Sequence, residues 1–369
     1  MKFQSLQMLR GIAAMWVVAY HMQDHFDPLA TAFPLSASDL LRKGYIGVDL
    51  FFVISGFVIA WTALYKPGPH DAPIKFLLKR LIRVAPPYWI ATLYFAMLGD
   101  LSKIELEPIL RSLFFIPIES NYPPIYGFPI LVIGWSLNYE VYFYLSFSAL
   151  LCLGRRLSIQ ITYFAITLVI LPAIFSGKFS IDPEHLYKGI SNTYILLATN
   201  PIILEFVFGM VLARLYGSLP GTLRRSYVWL VLCASIVIFM AAFFLYEPRM
   251  SILFRGLPCA CLVAGFLVVE RYQLFSISRH LAYLGEMSYS IYLTHPFVLV
   301  VAKSIYATTP GQHYVQIAQY LLALAVALGF ARFFYKYVEQ PMLQHGKRIG
   351  SGHFHTPQPA KNSTVSRVK

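Results

Sequence analysis

Apolar stretches long enough to cross a bilayer recur along almost the whole chain, at about 8–22, 45–65, 83–99, 129–152, 159–175, 193–215, 227–246, 250–269, 287–307 and 314–337. A helix rises about 1.5 Å per residue, so about 20 apolar residues match a hydrocarbon core about 30 Å thick. Inside lipid the backbone must satisfy its own hydrogen bonds, which a helix does within one segment. The pattern predicts an all-α, polytopic integral membrane protein with about ten transmembrane helices. Composition agrees: only 13% of the 369 residues are charged, against about 25% in a soluble domain. A shorter apolar piece at 109–118, flanked and interrupted by Pro108 and Pro117, reads as re-entrant or interfacial.

The net charge of +13 would suggest nucleic acid in a soluble protein. Here membrane topology accounts for it. Placing the amino terminus, 66–84, 153–158, 214–226, 270–286 and the carboxyl tail on one side, with Arg332 and Lys336 at the adjoining end of the last span, collects 21 of the 30 Lys and Arg. By the positive-inside rule both termini are then cytoplasmic, in a multi-pass protein with membrane lipid as its surroundings and no nucleic acid as partner. The first apolar segment contains Arg10 and no clear small-residue cleavage site, so it is not read as a signal peptide. Cys152, Cys233, Cys259 and Cys261 lie in apolar spans without zinc spacing and read as packing residues. Residues 1–345 form the expected membrane domain, and the polar stretch 346–369 is expected to be a disordered cytoplasmic tail.

Ionisable residues inside spans are costly and point to function. The deep candidates are His21, Asp49, Glu140, Glu205, Arg255 and His295. Arg10 and His21 bracket the first span. Eleven residues make about three turns, which puts both side chains on one face about 16 Å apart along the axis. In "GWSLNYEVYFY" the residues Ser136, Glu140 and Tyr144 fall at i, i+4 and i+8, a polar stripe on an aromatic helix. A buried helix–helix hydrogen bond is the plain structural alternative for Glu140. "KFLLKRLIRVAPPYW" sets Lys75, Lys79, Arg80 and Arg83 before a Pro-Pro pair. Taken alone, that patch more ordinarily anchors lipid headgroups than grips a ligand phosphate. Small residues at Gly44, Gly47, Ser55 and Gly56 serve close helix packing, which leaves Asp49 unexplained. His295, before Pro296, reads equally well as structural.

These segments, in order, resemble the membrane-bound acyltransferase 3 family, which includes bacterial acetylases of O-antigen and exopolysaccharide. The resemblance is carried by Arg10-(ten residues)-His21, "GYIGVDLFFVISGF", "FLLKRLIRVAPPYW", "WSLNYEVYFY", "EFVFGMVLA", "SYSIYLTHP" and "YVEQP", spread over residues 6 to 341. It implies transfer of an acyl group, acetyl by family default, from acetyl-CoA or another acyl-CoA to a hydroxyl of an extracytoplasmic or lipid-linked glycan. Arg10 and His21 match the signature in the first helix, Arg80 and Arg83 the basic cluster associated with the donor, and Glu140 the carboxylate of "WSLNYE". The implied partners are the glycan acceptor and polysaccharide biosynthesis or export machinery.

Combined with the spacing, this gives a mechanism. Arg10, Arg80 and Arg83 hold the phosphates of the acyl donor at a cytoplasmic mouth. His21 acts as base, with Glu140 orienting its imidazole or stabilising its cation. A histidyl-acyl intermediate stands beside direct transfer as an alternative. Asp49, Ser136, Glu205 and His295 are assigned to the acceptor side, and Glu339 to a cap or ion pair. No metal site is expected, because ligand spacing for one is absent. A secondary transporter is the rival from another class, although the internal repeats it favours are not found. A non-catalytic component of a polysaccharide export complex is the third reading.

Overall fold

A computed structural model describes residues 3–23, 41–98, 105–119, 121–245, 252–308 and 313–351. Among them helices are joined by turns and loops, and no strand occurs. The helices are α1 (Gln4–Gln23), α2 (Ile46–Ala60, extended by a π-turn Trp61–Tyr65), α3 (Pro73–Leu98), α4 (Leu106–Leu113), α5 (Gly134–Leu150) and α6 (Leu157–Ser176). They continue as α7 (Thr193–Thr199), α8 (Leu204–Gly217), α9 (Arg225–Leu245), α10 (Ile252–Arg271), α11 (Arg279–Glu286) and α12 (Ser288–Thr308). The last are α13 (His313–Phe334), which leads through a π-turn Tyr335–Glu339 into α14 (Gln340–Ser351).

Each of the ten apolar stretches coincides with a helix. Six are long and apolar enough to cross a membrane, and the pair around Asn200, bent by 46°, makes a seventh. The remaining three stretches fall on α1, α5 and α12, and α5, with 17 residues, is shorter than the other spans. They carry Arg10 and His21, Ser136 and Glu140, and Ser290 and His295. Helix α3 begins ten residues before the expected span, so Lys75, Lys79, Arg80 and Arg83 ride on the helix itself, and it continues through Pro86 and Pro87. Helix α14 runs to Ser351, beyond the expected start of the tail at 346. A Cβ on Gly346 would meet the Ile82 side chain at 2.9 Å, which marks where α14 is seated on α3.

Lipid supplies no hydrophobic force between helices, so close packing must hold them together. One close crossing is α2 against α8, where a Cβ on Gly56 would lie 2.1 Å from the Phe206 carbonyl oxygen. The reciprocal Gly209 meets Val53 O at 2.1 Å, so any side chain at either position forces these backbones apart. Helix α1 lies against α2, α11 and α12. Its amino end is held from outside its own sequence: the Glu270 carboxylate accepts from the backbone N–H of Gln4 (2.7 Å) and Ser5 (3.0 Å), and from the Ser5 hydroxyl. Those N–H groups have no partner within the helix, and a carboxylate there also opposes the positive end of the helix dipole.

Candidate active site

At the end of the bundle where α1 and α3 begin, a vestibule of about 470 Å³ is lined by Thr62, Lys66, Asp71, Lys79, Arg80, Arg83 and residues of α14. Its cations come from two sources. Lys79, Arg80 and Arg83 project from α3, and Lys66 follows the π-turn that ends α2. That π-turn also places Thr62, whose hydroxyl accepts from Arg80 Nη2 at 2.8 Å. Asp71 at the mouth is paired with Lys79 (2.6 Å) and Lys75 (3.7 Å). Burial pushes the Asp71 carboxyl upward, but the hydrogen bond and charge of Lys79, with help from Lys75, outweigh it and hold the group below the ordinary carboxylate range. Arg155, reaching across from the turn after α5, donates to the carbonyls of Ala63 (3.0 Å) and Asp71 (2.5 Å) and fixes this rim.

Arg80 and Arg83 also line the next cavity inward, about 50 Å³, together with Arg10, Ser55, Glu140, Tyr144 and Tyr289. Here Glu140 accepts from Ser55 Oγ (3.1 Å) and from the Tyr144 hydroxyl one turn below it. Arg10 interacts electrostatically with Glu140 and Glu339 and is opposed by Arg83. Glu339 is buried in the π-turn after α13 and accepts from Ser290 Oγ (2.5 Å). Three guanidiniums thus face two carboxylates, which leaves a positive excess suited to an anion. Tyr289 spans the bundle at this level, its hydroxyl donating to Val84 O (2.7 Å).

A third cavity of about 50 Å³ shares Arg10, Ser55, Glu140 and Tyr289 and adds Phe51, Ser136, Ser288 and Tyr292. The hydroxyls of Ser136 and Tyr292 are hydrogen-bonded at 2.8 Å, and both reach Ile133 O. The Tyr292 ring lies 5.9 Å from the His295 ring, and His295 lies 5.1 Å from His21. A line of polar groups therefore runs from the vestibule through Arg10 and Glu140, then Ser136 and Tyr292, to a histidine pair. The two inner cavities hold waters at most, so a bulkier guest must widen them.

The tautomers of the histidines follow from their partners. His21 Nδ1 lies 2.9 Å from Val17 O, and His295 Nδ1 lies 2.8 Å from Tyr292 O. A carbonyl oxygen only accepts, so each Nδ1 carries a proton, and the Nε2 of His295 has no hydrogen-bond partner among the described residues.

The line brings together Arg10, Arg80, Arg83, Glu140, Ser136, His295 and His21. It does not set Glu140 beside His21 as the sequence reading expected. Glu140 shares both small cavities with Arg10, the other end of a span of about 16 Å, whereas the His295 ring lies 5.1 Å from that of His21. Asp49 and Glu205 fall elsewhere. Asp49 Oδ1 accepts from Arg255 Nη2 at 2.8 Å, with Glu205 against Asp49 and both acids fully buried. Gly256 makes room for this cluster, since a Cβ there would meet Glu205 Cγ at 2.7 Å. None of the three lines the vestibule or the two inner cavities. Sequence reading passed over Thr62, Tyr289 and Tyr292, and took Ser55 for packing alone. Tyr292 was visible as a polar group one turn before His295, but only the fold shows Ser136 opposite it.

With this geometry in place, comparison with known proteins is decisive. The acyltransferase domain profile matches residues 3–336. The chain belongs to the acyltransferase 3 family. It is 30% identical over 319 residues to "Exopolysaccharide production protein ExoZ" of Rhizobium meliloti, covering 84% of this chain and 93% of that protein. It is 23% identical over 377 residues to "Putative O-acetyltransferase SACOL0978" of Staphylococcus aureus and 25% identical over 376 to "Putative peptidoglycan O-acetyltransferase YrhL" of Bacillus subtilis. The chain spans 57% and 55% of the length of those two proteins. No solved structure matches it. The chain is thus an acyltransferase with multiple membrane-capable helices.

Proposed function

We propose that this acyltransferase moves an acyl group, acetyl in the first instance, from cytoplasmic acyl-CoA to a hydroxyl of an extracytoplasmic or lipid-linked glycan such as exopolysaccharide. All ten apolar segments cross a bacterial inner membrane in this reading, with both termini in the cytoplasm. The observation that supports it is the unbroken line of polar groups from the cationic vestibule to the histidine pair. Coenzyme A is phosphate-rich at one end and carries its thioester at the end of a long flexible arm. Lys66, Lys79, Arg80 and Arg83 offer charge-assisted hydrogen bonds to the phosphates. The arm follows Arg10 and Ser55 inward, with Tyr292 turning aside to admit it. Chemistry takes place at His21, whose Nε2 lone pair matches the need for a base or nucleophile on a weakly acidic alcohol.

Glu140 has a revised part in this reading. Held by Ser55 and Tyr144 among three arginines, it sets the charge and orientation of the guanidiniums that the arm passes. Likeness to an exopolysaccharide production protein favours a polysaccharide acceptor. NMR of the surface polysaccharide from a deletion strain and its parent tests the function: the reading requires an ester signal that disappears on deletion and returns with the gene. Unchanged esters, together with no CoA release by the purified protein, would reject it.

A further inference from the structure

The reaction in its simplest form needs one basic nitrogen, and the structure holds two. His295 is buried, its Nδ1–H is committed to Tyr292 O, and its Nε2 has no hydrogen-bond partner among the described residues. A buried acceptor left unsatisfied is disfavoured unless a ligand completes it. Its ring lies 5.1 Å from that of His21, tilted by 40°. His21 is fixed in the same tautomer through Val17 O. Two adjacent imidazoles, each oriented by an Nδ1–H bond to a backbone carbonyl, suit a reaction with one nucleophile and one base.

We infer that His21 and His295 divide a double displacement between them, with His21 carrying the acyl group and His295 acting as base toward the acceptor. This rests on the acyl-transfer reading given above. In the first half, the His21 Nε2 lone pair attacks the thioester carbonyl carbon. A C–N bond forms, the C–S bond breaks, and CoA departs as a thiolate that takes a proton from the medium. The Val17 carbonyl holds the Nδ1–H of the acylated ring throughout. In the second half, the acceptor's hydroxyl oxygen attacks the acyl carbon while its proton passes to His295 Nε2. The C–N bond breaks, the ester leaves, and His21 recovers its lone pair. His295 then returns its proton to the medium, which restores the proton taken by the thiolate. Tyr292 sets the orientation of His295 through its carbonyl and ring.

The two halves can be separated without knowing the acceptor, because an acyl-enzyme reverses in the presence of CoA. The full chain, reconstituted in lipid nanodiscs with acetyl-CoA and radiolabelled CoA but no acceptor, should move label into acetyl-CoA. His21→Asn should abolish this exchange. His295→Asn, which keeps an N–H donor for Tyr292 O, should retain exchange within about threefold, while surface polysaccharide esters in cells fall about 10²-fold or more. Retained exchange also shows that the variant is folded. A wild-type protein that forms esters without exchange would establish direct transfer and overturn the inference. So would a His295→Asn variant that loses exchange and esters together, or one that keeps both. A wild-type protein that neither exchanges nor supports esters would instead reject the acyl-transfer reading itself.

Discussion

Ser55 and Asp49 lie on the same helix, α2, and each meets a buried cluster of charge, yet the two clusters are built differently. Around Ser55, Arg10, Arg80, Arg83 and Glu140 line a cavity that shares Arg80 and Arg83 with the vestibule. Around Asp49, Glu205 and Arg255 close upon one another, pinned by the α2–α8 crossing and by Gly256. Both carry the signature of ionisable residues in apolar spans, and sequence alone does not show which of them borders a cavity. Charge that borders a cavity has something left to bind. Charge that fills its own space ties helices together, and its worth lies in the cost of breaking it.

Substitutions should therefore separate the two regions. The largest effect is expected for His21→Ala: acyl transfer falls by about 10²–10⁴, read as surface ester by NMR, with membrane-inserted protein at wild-type level. Arg255→Ala should do the opposite, because it strands two buried acids. It costs about 3–5 kcal/mol of stability, measured by thermal unfolding in detergent, while turnover per folded molecule changes little. A catalytic loss with unchanged stability would move this cluster into the reactive region. Arg80→Ala removes one charge-assisted contact worth about 1.5–3 kcal/mol, so the KM for acyl-CoA should rise roughly ten- to a hundredfold with kcat largely retained.

Smaller effects sharpen the boundary. Glu270→Gln weakens the cap on the helix that carries both Arg10 and His21. A loss of about 1 kcal/mol should appear as a lower Tm without a matching change in KM. Asp71→Asn should be the mildest, with the donor KM within about threefold at neutral pH, since exposed pairs contribute little. Its pH signature has a definite sign. The Asp71 carboxyl is held below its ordinary value, so its ion pairs stabilise the fold above that value and are lost as pH falls through the lowered one. The stability difference between wild type and Asp71→Asn should shrink on acidification toward pH 3, and a difference that grows would contradict the assignment.

The helices were legible because apolar length and spacing are local properties, and α1 shows how far such reading reaches. Its 3.6-residue period put Arg10 and His21 on one face, and both belong to the polar line. Arg80 and Arg83 were likewise marked by clustering. The partner of His21 was not legible. Glu140 was expected there and His295 on the acceptor side, and placing them needs the relative shift of α1, α5 and α12 along their axes, which depends on packing across more than a hundred residues. Asp49 and Glu205 were assigned to the acceptor side for the same reason: hydropathy reports that a charge is buried, but not whether space lies beside it. Ser55 was seen as a small packing residue, and its hydroxyl gained a role only from the placement of Glu140 against it.

The central claim is that a donor held at the vestibule reaches the histidine pair along the Arg10–Tyr292 line. A cryo-EM structure of the full chain in nanodiscs, with an unreactive ketone analogue of acetyl-CoA, tests it directly. The account requires phosphate density against Lys79, Arg80 and Arg83, the arm alongside Arg10 with Tyr292 displaced from Ser136, and the carbonyl within reach of His21 Nε2. An analogue bound elsewhere, or one whose carbonyl remains in the vestibule while Ser136 and Tyr292 stay bonded, would contradict it.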